Sequence, residues 1–208
     1  QTIDKIVFPW LYPDKVNAMT QLGIYSACFK IGVIMVMFTQ AFRYAFEPFI
    51  FAKNKEVANN KVAYADATKY FILFGLLIFL GVMGYLDVIK FLIKSTYHEG
   101  LIVVPVVMMG ELFFGIYFNL SLWYKLTDQT RWGAYLSLIG LAVTIVINVA
   151  FIPRFGYLAC AWASFFANLL MMSISYYLGQ KNYPIGYNLK AIGSFFGLAL
   201  ALFAVMIF

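Results

Sequence analysis

Three charged side chains lie within one apolar stretch of the sequence that is long enough to cross a bilayer. The stretch covers residues 21–52 and contains Lys30, Arg43 and Glu47. Charge at membrane depth is costly and usually marks a transport pathway, a ligand site or a buried ion pair. A guanidinium presents a planar fork to phosphate oxygens, and an ammonium offers those oxygens a compact positive charge. Lys30 and Arg43 are therefore candidate contacts for a phosphate group.

The side chains of this stretch separate into two faces when they are plotted at about 100° per residue. One face is polar and contains Tyr25, Ser26, Gln40, Arg43, Tyr44 and Glu47. The opposite face is apolar and contains Ile31, Ile34, Met35, Phe38, Phe42, Ala45, Phe46 and Phe49. We expect the apolar face to turn toward lipid and the polar face toward a polar interior. Tyr25 and Gln40 would then join the two cations as substrate contacts.

The spacing of Arg43 and Glu47 leaves two interpretations open. The two residues are four positions apart, so they can pair along one helix and lower the cost of keeping both charges in the membrane. If another helix holds Glu47 instead, Arg43 is left to bind a phosphate. Glu47 is thus either a structural charge or part of an ion-coupling site.

A second carboxylate at membrane depth is Glu111, near the centre of the apolar run 101–124. Gly115 and Asn119 share its helical face. Desolvation at that depth favours the protonated form of a carboxyl group unless cations or hydrogen-bond donors compensate. Glu111 is therefore a candidate for binding and releasing a proton during a transport cycle. A structural hydrogen bond made by a protonated or paired side chain is the other interpretation.

The composition excludes several classes of function. Hydrophobic residues make up 63% of the 208 residues and charged residues only 12%, whereas a soluble domain is about half apolar. The net charge of +6 comes from Lys and Arg at the ends of apolar segments, which is typical of topology signals and not of nucleic-acid binding. Cys28 and Cys160 lack a paired spacing, and His98 is the only histidine. Neither a disulfide, a metal site, a cofactor nor an enzyme is predicted.

The pattern predicts an all-α protein, a polytopic transmembrane helix bundle with about six spans. Residues 1–12 are interpreted as the tail of a truncated transmembrane helix, and the predicted spans are 21–52, 71–93, 101–124, 132–152, 157–178 and 191–208. Alternating the connections places more basic residues on one side, namely Lys53, Lys55, Lys61, Lys69, Lys125, Arg131, Lys181 and Lys190. The other side receives Lys5, Lys15, Lys90, Lys94 and Arg154. The richer side is predicted to be cytoplasmic.

Small and polar residues recur at helical spacing in two of the predicted spans. The fourth span has Gly133, Ser137, Gly140, Thr144 and Asn148 on one face. The fifth span has Cys160, Ser164, Ala167, Asn168, Met171 and Ser175 on one face. Such faces either pack helices closely or line a path for a polar substrate. Both interpretations stay open.

Several segments resemble one family of transporters. These segments are Asp4-Lys5, LGIYSACFK at 22–30, FRYAFEPF at 42–49 and NVAFIPRFGYLACAWAS at 148–164. They are similar to the bacterial lipid-linked oligosaccharide flippases, polysaccharide biosynthesis proteins of the multidrug, oligosaccharidyl-lipid and polysaccharide exporter superfamily. The resemblance covers almost the whole chain and matches the second half of such a transporter, so that residues 13–208 would form its C-terminal lobe. Two mild departures are Ala159, where the family usually has Gly, and Cys160, where it often has Ala.

The resemblance implies a two-lobed bundle in the bacterial inner membrane, with a central cavity that opens alternately to either side. Such a protein moves an undecaprenyl-pyrophosphate-linked oligosaccharide from the cytoplasmic to the periplasmic leaflet, for polysaccharide or O-antigen synthesis. Its partners would be that lipid-linked oligosaccharide, membrane lipids and the N-terminal lobe of the same protein. Lys30 and Arg43 are the residues that fit the pyrophosphate.

Two other functions compete with this expectation. A multidrug or cation antiporter of the same superfamily would use acidic residues such as Glu47 and Glu111 to receive cationic compounds. A membrane enzyme such as a glycan polymerase would show a large outward loop or a cluster of intramembrane His or Arg residues. The predicted outward loops are short, which disfavours the enzyme.

Overall fold

The computed structural model describes residues 2–52 and 57–207, and 90% of the chain is helical. In chain order the α-helices of the described residues are α1 (Thr2–Leu11), α2 (Lys15–Ala52), α3 (Val57–Gly84), α4 (Leu86–Ile89), α5 (Val104–Leu120), α6 (Leu122–Leu126), α7 (Arg131–Phe155), α8 (Tyr157–Asn182) and α9 (Leu189–Ile207). Short 3₁₀ helices cover Lys90–Leu92 and Ser95–Val103. No β-strand occurs in the described ranges, so the prediction of an all-α fold is confirmed.

Six segments are long and apolar enough to cross a membrane. They are Asn17–Pro48, Lys61–Gly84, Ser95–Leu126, Arg131–Phe155, Tyr157–Asn182 and Leu189–Met206. Five of them exceed the roughly 20 residues that a bilayer core requires. Leu189–Met206 has 18 residues, which is still within the range of about 17–25 seen for transmembrane helices. These segments indicate a multi-pass membrane protein, and the predicted number of spans is confirmed.

The bundle is built around α5, which packs against α2, α3 and α8. Most of its side chains are buried, as suits a helix that is apolar on nearly every side. Glycines let its neighbours approach closely. A Cβ added at Gly110 would lie 3.3 Å from Phe165 Cα of α8, and one added at Gly115 would lie 2.7 Å from Thr39 Oγ1 of α2.

The second span begins earlier than the sequence predicts. A polar connection is expected over 51–70 and a span over 71–93, but α3 is already helical from Val57 and ends at Gly84. Among its described side chains before residue 71, Tyr64 and Thr68 are buried, whereas Val62, Asp66 and Tyr70 are exposed. Packing of the face with Tyr64 and Thr68 extends the helix into the polar segment.

The third span has a one-residue break near the end that the distribution of basic residues predicts to be cytoplasmic. The sequence predicts a span over 101–124, and Ser95–Leu126 is one candidate span of the structure, within which α5 ends at Leu120 and α6 begins at Leu122. Ser121 lies between them, and its Oγ donates a hydrogen bond of 2.7 Å to Phe118 O. This bond accounts for one carbonyl group at the break.

The predicted orientation of α2 is wrong for much of its apolar face. The sequence predicts that Ile31 and Met35 face lipid, but they are buried in the same core cluster as Val107 and Met108 of α5. Tyr25 of the predicted polar face is buried in the same core. Because lipid and the interior of the bundle are both apolar, hydropathy alone does not show which apolar face meets protein.

Pro48 lies inside α2 and does not end the helix. The helix continues to Ala52. The proline ring blocks the hydrogen bond to the carbonyl of Tyr44. Both residues are exposed, so this carbonyl lies at the outer surface of the bundle.

The order of the spans gives the side on which each connection lies, and the cytoplasmic assignment of one side stays a prediction. At the predicted cytoplasmic end, Lys61 Nζ lies 4.5 Å from the ring centroid of Tyr183. At the opposite end, α7 and α8 are joined by Gly156 alone, with a φ of 55° that favours glycine. The PRFG segment at 153–156 therefore forms a tight connection between the fourth and fifth spans. Lys53, Lys55 and the side chains of Lys5 and Phe49 lie outside the described residues.

Candidate functional site

A cluster of three charges lies where α2 meets α6, at the predicted cytoplasmic end. Lys125 Nζ donates a hydrogen bond of 2.6 Å to Glu47 Oε1, and Arg43 Nε lies 3.6 Å from the same oxygen. Glu47 thus has partners on both helices, and the shorter contact is to Lys125. The three side chains are 25–31% exposed, so each pair contributes only about 0–1 kcal/mol to stability. Two cations and one carboxylate leave the cluster with a net charge of +1.

Arg43 keeps binding capacity in this cluster. Its Nε is buried and has no hydrogen-bond partner among the described residues. Its Cζ lies 5.0 Å from the ring centroid of Phe118 and 5.9 Å from that of Tyr44, so aromatic faces hold the guanidinium in place. A guanidinium held by rings and only weakly paired with Glu47 can still present its planar fork to an anion.

A cavity of about 560 Å³ lies between α5, α7 and α8. Its wall contains hydroxyl and amide side chains together with aromatic rings, namely Ser137, Thr144, Ser164, Asn168, Phe114, Tyr117, Phe118 and Tyr124. Among the described residues, no charged side chain lines it. The volume falls within the roughly 300–1,000 Å³ typical of ligand sites.

Phe118 connects the charge cluster with this cavity. The ring lines the cavity and also lies against the guanidinium of Arg43. A cation therefore lies next to one aromatic residue of an otherwise neutral cavity wall. This arrangement can receive a ligand that has a neutral, hydroxyl-rich part and an anionic part.

The stripe of small and polar residues on α7 contributes both to the cavity wall and to helix packing. Asn148 is buried and does not line the cavity, whereas Gly133, Ser137, Gly140 and Thr144 do. Thr144 Oγ1 donates to Gly140 O at 2.8 Å, so its lone pairs stay available as acceptors.

The stripe on α8 divides in the same way. Asn168 lines the cavity, and its Nδ2 donates a hydrogen bond of 3.1 Å to Gly110 O of α5. Cys160 and Ser175 are buried in the packing of α8 and do not line the cavity. The amide of Asn168 thus fixes α8 against α5 while its side chain forms part of the cavity wall.

The structure does not bring all the predicted site residues together. Lys30 is exposed and lies 13 residues from Arg43 on α2, about 20 Å along the helix axis. A single pyrophosphate is too short to touch both cations. Gln40 is half-buried, and Tyr25 lies in the apolar core away from the cavity.

Glu111 lies in the middle of α5 and is only 4% exposed. The carboxyl group is therefore enclosed by the bundle, as the sequence predicts from its depth. Among the described residues, no group of three or more His, Cys, Asp or Glu side chains could hold a metal ion.

Sequence reasoning missed the role of Lys125. In the sequence, Lys125 is one of several basic residues at the ends of spans, and nothing else distinguishes it. Its partner Glu47 is 78 residues away, so the sequence does not indicate the pairing. Phe118 was also missed, because a phenylalanine in an apolar span carries no signal of its own.

Comparison of the chain with protein families, curated proteins and solved structures finds no match.

Proposed function

We propose that this chain is one lobe of a transporter that moves a lipid-linked oligosaccharide across the bacterial inner membrane. The substrate is an undecaprenyl-pyrophosphate-linked glycan, carried from the cytoplasmic to the periplasmic leaflet. The observation that best supports the proposal is the neutral polar cavity with Arg43 in contact with Phe118, one of its lining residues. The cavity suits the sugars, and the guanidinium suits the phosphate.

The cavity lining suits a sugar chain. Sugar hydroxyls exchange hydrogen bonds with groups such as Ser137, Thr144 and Asn168. The apolar faces of sugar rings pack on aromatic side chains such as Phe114 and Tyr117. A few polar groups in a largely apolar wall fix the orientation of a ligand.

The two separated cations suit successive stages of one passage. Arg43 lies toward the predicted cytoplasmic end of α2, and Lys30 lies about 20 Å closer to the opposite end. The pyrophosphate would meet Arg43 when it enters from the cytoplasm and Lys30 later in the passage. Lys30 is exposed, on a surface that a second lobe of the same protein would cover.

Transport of this kind requires no covalent chemistry. The charged and hydroxylated headgroup cannot cross hydrocarbon unaided, whereas the isoprenoid tail stays in the bilayer. Two lobes that rock around a fixed site expose that site first to one side and then to the other. The chain then needs only to bind the headgroup and to change which side it faces.

A multidrug or cation antiporter of the same superfamily is the second candidate. Glu111 favours it, because a buried carboxyl group in the centre of a bundle suits cation or proton binding. Aromatic cavity walls also attract cations. Against it stands the cavity lining, in which no described side chain is acidic, and the net positive charge of the neighbouring cluster.

The experiment that tests the proposal is transport by the full-length protein in proteoliposomes. A fluorescent lipid-linked oligosaccharide is placed in one leaflet, and its arrival in the other is read from a membrane-impermeant quencher. We expect transport to fall at least about tenfold, equal to ~1.4 kcal/mol, in Ser137→Trp, whose indole would occupy the cavity.

Ala142→Trp is the matched control for this variant. It places the same side chain on an exposed part of α7 that does not line the cavity. Transport of a cationic dye but not of the oligosaccharide would replace the proposed function with the antiporter.

A further inference from the structure

A small cavity lies beside the break between α5 and α6. It measures about 10 Å³, and its wall includes Trp123 of α6 together with Ser175 and Gly179 of α8. This volume is the space within which the centre of a water molecule can move. It is close to the minimum for a cavity that holds one water molecule.

Two polar atoms of the residues in this wall have no hydrogen-bond partner among the described residues. They are Trp123 Nε1 and Ser175 Oγ, on side chains that are 1% and 0% exposed. Buried polar groups in folded proteins are nearly always paired with protein atoms or with ordered water. The two atoms therefore require a partner that the neighbouring side chains do not supply.

The indole of Trp123 lies close to α8 because of Gly179. A Cβ added at Gly179 would lie 3.0 Å from Trp123 Cδ1 and 3.4 Å from Trp123 Nε1. The edge of the ring that carries Nε1 therefore faces the α8 backbone. Ser175 lies one turn earlier on the same face of α8, so its hydroxyl and the indole N–H border the same space.

We infer that this cavity binds one ordered water molecule. The water accepts a hydrogen bond from Trp123 Nε1 and exchanges a second one with Ser175 Oγ. An indole N–H can only donate and a hydroxyl can both donate and accept, so a water molecule satisfies both atoms. The inference stands whether or not the protein transports a glycan.

The bound water has a structural consequence for the charge cluster. A break in a helix at membrane depth is tolerated where side chains and ordered waters satisfy the polar groups around it. Ser121 Oγ accounts for Phe118 O on one side of the break. The water holds α6 against α8 on the other side, and α6 carries Lys125 to Glu47.

Hydroxyl-radical footprinting of the full-length protein tests this inference. Radiolysis of water generates radicals in place, so a buried side chain is oxidised only when a water molecule lies beside it. We expect Trp123 to be oxidised in the folded protein. Phe71 and Phe79, which are equally buried and line none of the described cavities, are expected to stay unmodified.

Two variants separate the water from other causes of oxidation. Ser175→Val fills the cavity with methyl groups and should lower the oxidation rate of Trp123 at least about fivefold. Ser175→Ala keeps the space and should lower it less. An unmodified Trp123 in the wild-type protein, or an unchanged rate in Ser175→Val, would overturn the inference. If Ser175→Val does not fold, the oxidation of Trp123 in the wild-type protein and in Ser175→Ala decides whether the inference holds.

Discussion

Lys125 Nζ lies 2.6 Å from Glu47 Oε1, although 78 residues separate them in the sequence. Arg43 Nε lies 3.6 Å from the same oxygen, which is beyond hydrogen-bond distance. Glu47 therefore pairs mainly with Lys125, and the guanidinium of Arg43 stays available for an anion. The proposed phosphate site thus depends on a residue that does not itself line the cavity.

Substitution of Lys125 should weaken substrate binding without removing any group that touches the substrate. In Lys125→Ala, Glu47 loses its short partner and pairs more closely with Arg43. We expect the KM for the lipid-linked oligosaccharide to rise about tenfold, with little change in maximal rate. Transport measured over a range of substrate densities checks this.

Lys181→Ala is the control for Lys125→Ala, because it removes one exposed positive charge from the same end of the bundle. An equal rise of KM in both variants would mean that net charge, and not the contact with Glu47, is responsible.

Arg43 and Lys30 should affect different kinetic parameters. Arg43 is proposed to bind the headgroup on entry, so Arg43→Ala should raise KM. Lys30 is proposed to act later in the passage, so Lys30→Ala should lower the maximal rate and leave KM nearly unchanged. Arg43→Lys should recover only part of the affinity, because an ammonium cannot form the bidentate contact of a guanidinium. Normal transport by both alanine variants would contradict the assignment.

Glu111 should control the pH dependence of transport if it exchanges a proton during the cycle. Its carboxyl group is enclosed by the bundle, and Gln has a similar shape but does not titrate. We expect the transport rate of Glu111→Gln to be nearly constant over the pH range in which the wild-type rate varies. Survival of the wild-type pH profile in this variant would leave Glu111 a structural role only.

Leu112 should be a major contributor to the stability of the bundle. It is fully buried in α5 and packs on Gly75 of α3. Leu112→Ala should lower the free energy of unfolding by about 2–4 kcal/mol through lost packing. Cys28 and Cys160 are both buried, so a thiol-reactive fluorophore reports unfolding.

Gly75→Ala provides the matched test of this contact. Alone it should destabilise the protein, because the added Cβ meets Leu112 Cδ1. Combined with Leu112→Ala it should restore part of the lost stability, since the smaller side chain leaves room for the new methyl group. Additive destabilisation in the double variant would contradict the packing described here.

The sequence predicts the number of spans and the tight turn at Gly156 because these depend on local composition. A long apolar run requires a helix in a bilayer, and the PRFG segment permits one abrupt reversal. The break at Ser121 is not predictable in this way, since Leu101 to Tyr124 is almost uniformly apolar. It depends on contacts that α6 makes with other helices.

In the candidate site, too, the sequence predicts the features that depend on local spacing and not those that depend on contacts between helices. The helical spacing of polar residues such as Ser137 and Asn168 indicates that they share a face, and the structure places both at the cavity. The partner of Glu47 could not be chosen from the sequence, because several basic residues lie at span ends. The predicted orientation of α2 is wrong because apolar side chains pack equally well against lipid and against protein.

Photocrosslinking from position 137 tests the central claim most directly. A photoreactive residue in place of Ser137 faces the cavity, and the same residue in place of Leu200 faces outward from α9. We predict that illumination of the full-length protein with its lipid-linked oligosaccharide gives a sugar-bearing adduct at position 137 and none at position 200. A sugar-bearing adduct of equal yield at both positions, or none at position 137 while transport proceeds, would contradict the account.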